Sequence, residues 1–153
     1  MSYCLEEVFE MACQIERNGA AFYEAAARKT DSQDARKVLN ELAHWEHRHE
    51  EILEQMRNDL PEEDRTRYYD PDGEATMYID ALTAGKIFPA SPPDNVPDTD
   101  REVLAQAVAR EKDSVVFYVG LRAAVEKGSD QVDAIITEEM RHLRILSGLL
   151  EKL

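Results

Sequence analysis

Residues 46–53 read EHRHEEIL and residues 139–146 read EMRHLRIL; upstream of each lies a second matched pair, ERNGAAFY at 16–23 and EKDSVVFY at 111–118. The copies are offset by 95 residues in the upstream pair and 93 in the downstream pair, so one duplication accounts for both. Each segment sits inside a long run with apolar residues at helical spacing. The first run, 3–29, carries Leu5, Val8, Ala12, Ile15, Gly19, Phe22 and Ala26, and the second, 31–58, carries Val38, Leu39, Leu42, Trp45, Ile52, Leu53 and Met56. The third, 100–127, carries Leu104, Ala107, Val108, Val115, Tyr118, Leu121 and Val125. The fourth, 130–152, carries Val132, Ile135, Ile136, Leu143, Leu146, Leu149 and Leu150.

The breakers between these runs order the helices. Thr30 and Asp31 alone separate the first two, and Thr30 with Gln33 has capping-box spacing, so the join forces an antiparallel hairpin. Thr99 with Glu102 predicts the start of the third helix. Gly128 is expected to end it, and Ser129 or Asp130 to cap the fourth, giving a second hairpin. The connection 59–99 holds all six prolines and is too long for a turn. It reads as a crossover, with a short helix expected over 73–85. The sequence thus predicts an all-α antiparallel four-helix bundle with one long crossover between helices 2 and 3, a single domain spanning 1–153.

Composition narrows the function. A chain of 153 residues can bury a core without disulfide staples. Its 32 Asp plus Glu against 18 Lys plus Arg give a net charge of −14, which repels phosphate and argues against nucleic acid or an anionic membrane as partner. The longest apolar stretch, near VVFYVGL, falls far short of a membrane span, and MSYCLEEVFEMACQ lacks the pattern of a signal peptide. Cys4 and Cys13 are nine residues apart, about 13.5 Å along a helix, too far for a mutual disulfide. A reducing, cytoplasmic location is expected.

The carboxylates are the anomaly. Glu16 shares a face with Ala12, Gly19 and Phe22, and Glu111 with Ala107, Val108 and Val115. Glu46 with His49 and Glu139 with His142 likewise interrupt the stripes of the second and fourth helices, and residues three apart on a helix are surface neighbours. All four Glu fall near the midpoints of their helices, so six polar side chains converge at one level of the core. Unpartnered, they would be expensive to bury. The adjacent cations, Arg17, Arg48, Lys112 and Arg141, are turned outward by their position on the helix. Two divalent ions balance four carboxylates, and Glu16, Glu46, His49, Glu111, Glu139 and His142 match the donor set of carboxylate-bridged di-metal bundles. Each metal would take one His, one terminal Glu and shares of two bridging Glu. Carboxylate with imidazole suits iron or manganese, with zinc as another substitute.

Other polar residues read differently. His44 and His47 fall off the stripe and read as surface histidines, and Glu138 is turned about 100° from Glu139. Tyr23 and Tyr118 each lie seven residues beyond a site Glu. Helical aromatics lean toward the N-terminus, so each hydroxyl is expected to reach back to the carboxylate. Trp45, Phe22 and Phe117 read as core, and both cysteines as inert thiols.

At these residues the chain resembles the ferritin-like superfamily, and within it the rubrerythrin-like diiron-carboxylate proteins. The resemblance rests on Glu16 with Phe22 and Tyr23, on Glu46-His47-Arg48-His49, on EKDSVVFY from Glu111, and on Glu139-Met140-Arg141-His142, so it touches all four helices. It implies a non-haem diiron centre that reacts with dioxygen or hydrogen peroxide, in a homodimer. Rubrerythrins proper carry an extra carboxylate one turn after the third-helix Glu and a C-terminal rubredoxin-like domain. Here Ser114 holds that position and no such domain is in the sequence. The six-residue set looks more like that of bacterioferritins and manganese catalases, and electrons are expected from a separate rubredoxin-like protein or flavoprotein.

Three readings follow. The first is a diiron oxidoreductase removing peroxide or dioxygen with an external donor. The second is a ferroxidase or iron-storage protein of ferritin type, and the third a manganese catalase. An inert structural metal is the plainest alternative.

Overall fold

The computed structural model describes residues 3–67, residue 77 and residues 96–153. Among them α1 spans Leu5–Lys29, α2 Gln33–Asn58, the single turn α3 Glu62–Arg65, α4 Asp100–Ala124 and α5 Ser129–Glu151. The four long helices are those expected, with corrected ends. The short helix expected over 73–85 lies outside the described residues, save for an exposed Met77. The turn α3 had no periodic signal, being only four residues long.

The caps show why the boundaries moved. Thr30 does not cap α2; it closes α1, its N–H donating to Ala26 O at 3.0 Å, while its hydroxyl donates to Asp100 Oδ1 at 2.7 Å. The cap of α2 is Ser32, whose Oγ accepts the Ala35 N–H at 3.2 Å. Arg36 braces this turn by donating to Ala27 O at 3.1 Å and Thr30 O at 2.7 Å. Thr99 caps α4 as expected, accepting the Glu102 N–H at 3.2 Å. Gly128, however, does not end α4. The chain leaves the helix at Val125, whose extended backbone (φ −94°, ψ 130°) turns its side chain into the core. Gly128 instead caps α5 in place of Ser129 or Asp130, with φ +80°, a conformation that glycine adopts without steric cost.

α1 packs on α2 and α4 on α5, while α1 faces α4 and α2 faces α5. The α1–α4 pair is antiparallel, because the last turn of α1 meets the approach to α4: Lys29 Nζ donates to Val96 O at 2.8 Å and to Asp98 at 2.7 Å. At the opposite end Leu5 N–H donates to Arg67 O at 3.0 Å, and Arg67 donates to Ala124 O at 3.1 Å. The interior is two apolar clusters. One gathers Phe9, Ala12, Leu53, Leu121 and Ile135 toward the Cys4 end of α1. The other gathers Phe22, Leu39, Leu42, Leu104 and Leu146 toward the Thr30 end. Burial pushes the Cys13 thiol in the first cluster up to about 11, which keeps it protonated at neutral pH. No helix among the described residues is long and apolar enough to cross a membrane.

A Cβ on Gly128 would sit in the left-handed region and 2.9 Å from Met56 Cε. Gly128→Ala should therefore lower unfolding stability by about 1–2 kcal/mol in a denaturant titration. An unchanged midpoint would show that the α4–α5 turn does not have this geometry.

Candidate metal centre

Between the two apolar clusters lies a polar layer contributed by all four long helices. Glu16 from α1, Glu46 and His49 from α2, Glu111 from α4, and Glu139 and His142 from α5 are all at most 3% exposed. Helical spacing explains their common level. Each Glu-x-x-His presents its two side chains on one face, and the antiparallel hairpins bring helix midpoints together. The donor atoms form two overlapping groups, Glu16, Glu46, His49 and Glu139 in one and Glu46, Glu111, Glu139 and His142 in the other, each within 4.8 Å. Glu46 and Glu139 belong to both. One histidine and one further Glu belong to each.

The two halves mirror each other. His49 Nδ1 lies 3.5 Å from Glu16 and 2.8 Å from Glu139, and His142 Nδ1 lies 3.8 Å from Glu111 and 4.0 Å from Glu46. The imidazoles stack with centroids 6.0 Å apart. None of these approaches makes an aligned hydrogen bond: both ring nitrogens of both histidines, both oxygens of Glu139, Glu16 Oε2, Glu46 Oε1 and Glu111 Oε2 are buried without a hydrogen-bond partner. Buried polar atoms in such number are otherwise rare in folded proteins. Cations between the carboxylates would satisfy the carboxylate oxygens and one nitrogen of each imidazole, so the donor set fits a pair of metal ions in both composition and arrangement.

The tyrosines touch the site, but not as expected. Tyr23 Oη donates to Glu111 Oε1 at 2.5 Å and Tyr118 Oη donates to Glu16 Oε1, so each reaches across to the other hairpin rather than back along its own helix. Antiparallel packing is the reason. A tyrosine seven residues past its own Glu lies level with the Glu of the facing helix. Burial, with the adjacent carboxylates adding to it, holds both phenols well above the usual tyrosine range, so both remain donors.

Gly19 has a specific task, since a Cβ there would overlap Glu46 Oε2 and lie 3.1 Å from its Cδ. Glu46 thus occupies space that α1 leaves open. Arg110 is the cation that sequence reasoning missed. Its guanidinium lies 4.7 Å over the Phe22 ring and close enough to Glu46, Glu111 and Asp113 to feel their charge, while burial lowers its pKa. Its place directly before Glu111 was the available signal. Of the cations considered from sequence, Arg17 pairs with Glu50 at 2.5 Å and Arg48, Lys112 and Arg141 are exposed. His44 and His47 are exposed, His47 meeting Glu24 at 2.6 Å. Glu138 belongs to neither group and faces Arg141 at 3.7 Å. Phe22 and Phe117 are core, but Trp45 is only half-buried and packs 6.3 and 6.4 Å from the rings of His49 and His142.

The sequence profile of the Rubrerythrin family matches residues 7–150. A crystal structure from Thermotoga maritima, described as that of a ferritin-like diiron-carboxylate protein, is 22% identical, covers 99% of this chain and 97% of its own, and superposes with a TM-score of 0.77. That likeness establishes the fold. No curated protein sequence matches the chain.

Burial first, then the surrounding carboxylates, push Glu46 and Glu139 well above the usual value of 4.5. Burial also raises Glu111, but the proximity of Glu139 and His142 and the hydrogen bond from Tyr23 outweigh it and hold that group below its usual value. A raised folded-state pKa gives stability that is present in acid and lost as pH rises above about 4.5, and the effect of Glu111 falls below that window. Protein stripped of metal by a chelator should therefore be more stable at about pH 5.5 than at about pH 7.5, and metal-loaded protein the reverse, because protons compete with the metal. Glu46→Gln should flatten the metal-free dependence. Parallel curves with and without chelator would contradict the buried, unpartnered layer.

Proposed function

The chain belongs to the rubrerythrin family, and from that premise we propose that Glu16, Glu46, His49, Glu111, Glu139 and His142 hold two iron ions in a non-haem diiron oxidoreductase that reduces hydrogen peroxide or dioxygen. The observation that carries this reading is the pair of overlapping donor groups, each with its own histidine and terminal Glu, sharing Glu46 and Glu139. When bound, the iron pair supplies the two electrons that cleaving a peroxide O–O bond requires. A separate donor, rubredoxin-like or a flavoprotein, replaces them, which makes the protein a cytoplasmic peroxide-removing enzyme.

The chain's own residues have defined parts. Tyr118 and Tyr23 each occupy one oxygen of Glu16 and Glu111, leaving the other, Oε2, available in both. Donating to the carboxylates without titrating, they fix carboxylate orientation at every working pH. The apolar clusters at either end keep bulk water away and strengthen each electrostatic contact inside. Trp45 covers the imidazoles on the α2–α5 side.

Anaerobic reconstitution with ferrous iron followed by stopped-flow mixing tests the reading. It predicts two irons per chain, rapid oxidation by hydrogen peroxide and re-reduction by an added donor. Retention of many irons per chain would favour iron storage instead, and peroxide dismutation by manganese-loaded protein without reductant would favour a catalase. Glu16→Ala and Glu111→Ala should each lower the metal stoichiometry, and unchanged stoichiometry in both would sink the assignment. Tyr23→Phe and Tyr118→Phe should keep the fold but weaken metal binding by about 10–100-fold in a competition titration.

A further inference from the structure

The polar layer is closed in most directions. Apolar clusters lie toward both ends of the bundle. On the α2–α5 side the two imidazoles and Trp45 stand in the way. The seam between α1 and α4 differs. There a cleft of about 20 Å³ is lined by Gly19, Tyr23, Glu46, Arg110, Glu111 and Ser114, so its inner wall is made of two of the proposed metal-binding carboxylates. Arg110 is only half-buried, whereas Glu46 and Glu111 are at most 3% exposed, so the cleft leads from near the surface to the centre.

Its width has a sequence cause. Gly19 and Ser114 are equivalent positions of the duplication, each the third residue after the helix's site Glu, hence on the same face as that Glu. Both are small, and they lie on the two helices that form the seam. At Gly19 the space a side chain would take holds Glu46, and from the α4 side Ser114 is the smallest of the side chains that set the remaining clearance. A volume of about 20 Å³ exceeds the 10–15 Å³ or so that one water needs, so the passage is narrow but admits a molecule of about that size. Arg110 puts a positive charge on the cleft wall, partly answered by Asp113 of the same lining, where an electron-rich oxygen species would pass.

We propose that the Gly19–Ser114 cleft is the entrance by which a molecule of two oxygen atoms reaches the centre, and that the clearance at Ser114 selects hydrogen peroxide or dioxygen over alkyl hydroperoxides. This rests on the redox reading above, and the two are separable by experiment. The protein is loaded anaerobically with ferrous iron. Nitric oxide, a diatomic probe that binds without turnover, is mixed in by stopped flow, and oxidation by hydrogen peroxide and by tert-butyl hydroperoxide is followed in parallel. Ser114→Leu should slow nitric oxide binding and peroxide oxidation at least about tenfold, equivalent to ~1.4 kcal/mol of added barrier, with iron stoichiometry unchanged. Ser114→Gly should do the opposite, raising the tert-butyl hydroperoxide rate toward that of hydrogen peroxide. Unchanged nitric oxide and peroxide rates in Ser114→Leu with full iron content would overturn the entrance and leave the redox reading standing. Should Ser114→Leu not fold, Ser114→Gly decides, and a tert-butyl hydroperoxide rate equal to wild type overturns the proposal. Nitric oxide binding that depends on Ser114, in a protein no oxidant can oxidise, would uphold the entrance and overturn the redox reading.

Discussion

Four carboxylates and two imidazoles occupy the middle of a helical bundle, and most of their polar atoms have no partner in the chain. Removing ionised groups from water without compensation is among the most costly things a fold can do. The surrounding structure reads as a response to that cost. The apolar residues divide into two clusters that leave a level free for the polar layer. Two tyrosines satisfy one oxygen each of Glu16 and Glu111, and α1 gives up a side chain at Gly19 so that Glu46 can lie against it. These devices orient the carboxylates without neutralising them. Neutralisation is left to cations, and the sharing of Glu46 and Glu139 between two donor groups fixes how many the site would take.

The duplication gives this arrangement its approximate symmetry. Each hairpin supplies one isolated Glu, one Glu-x-x-His and one tyrosine, and completes the other's set rather than its own. His49 of the first hairpin lies nearest Glu139 of the second, and His142 lies within 4.0 Å of Glu46. Neither hairpin could assemble either donor group alone, so docking of the hairpins and creation of the site are one event. The symmetry fails at Gly19 and Ser114, and at Trp45, whose duplicate position is Glu138. Those departures make one flank of the centre unlike the other.

Much of this was legible in the sequence, because helical period, buried-face carboxylates and duplicated spacing are local signals that a bundle preserves. Helices 1 to 4 of the expected bundle are α1, α2, α4 and α5, and all six polar residues meet. What escaped depended on a second helix. The crossed tyrosine contacts follow from antiparallel register, which no single-helix argument contains. Arg110 is set by the α1–α4 seam and its ring contact with Phe22. The cap positions differ where several candidates crowd together: Thr30 and Ser32 are both cap formers, Ser the better by type, and the contacts of Thr30 to Asp100 and Arg36 hold it to the end of α1. Gly128 has the type of a helix stop, since Gly commonly follows a helix, but α4 ends earlier, where Val125 turns into the core.

The central claim is that this polar layer is a dinuclear metal site built from both hairpins. Anomalous diffraction at the iron edge, from crystals of iron-reconstituted protein, tests it most directly. The account predicts two peaks per chain, both contacting Glu46 and Glu139, one with Glu16 and His49 and the other with Glu111 and His142. A single peak, or iron bound away from these six side chains while the layer keeps its unpartnered atoms, would contradict it.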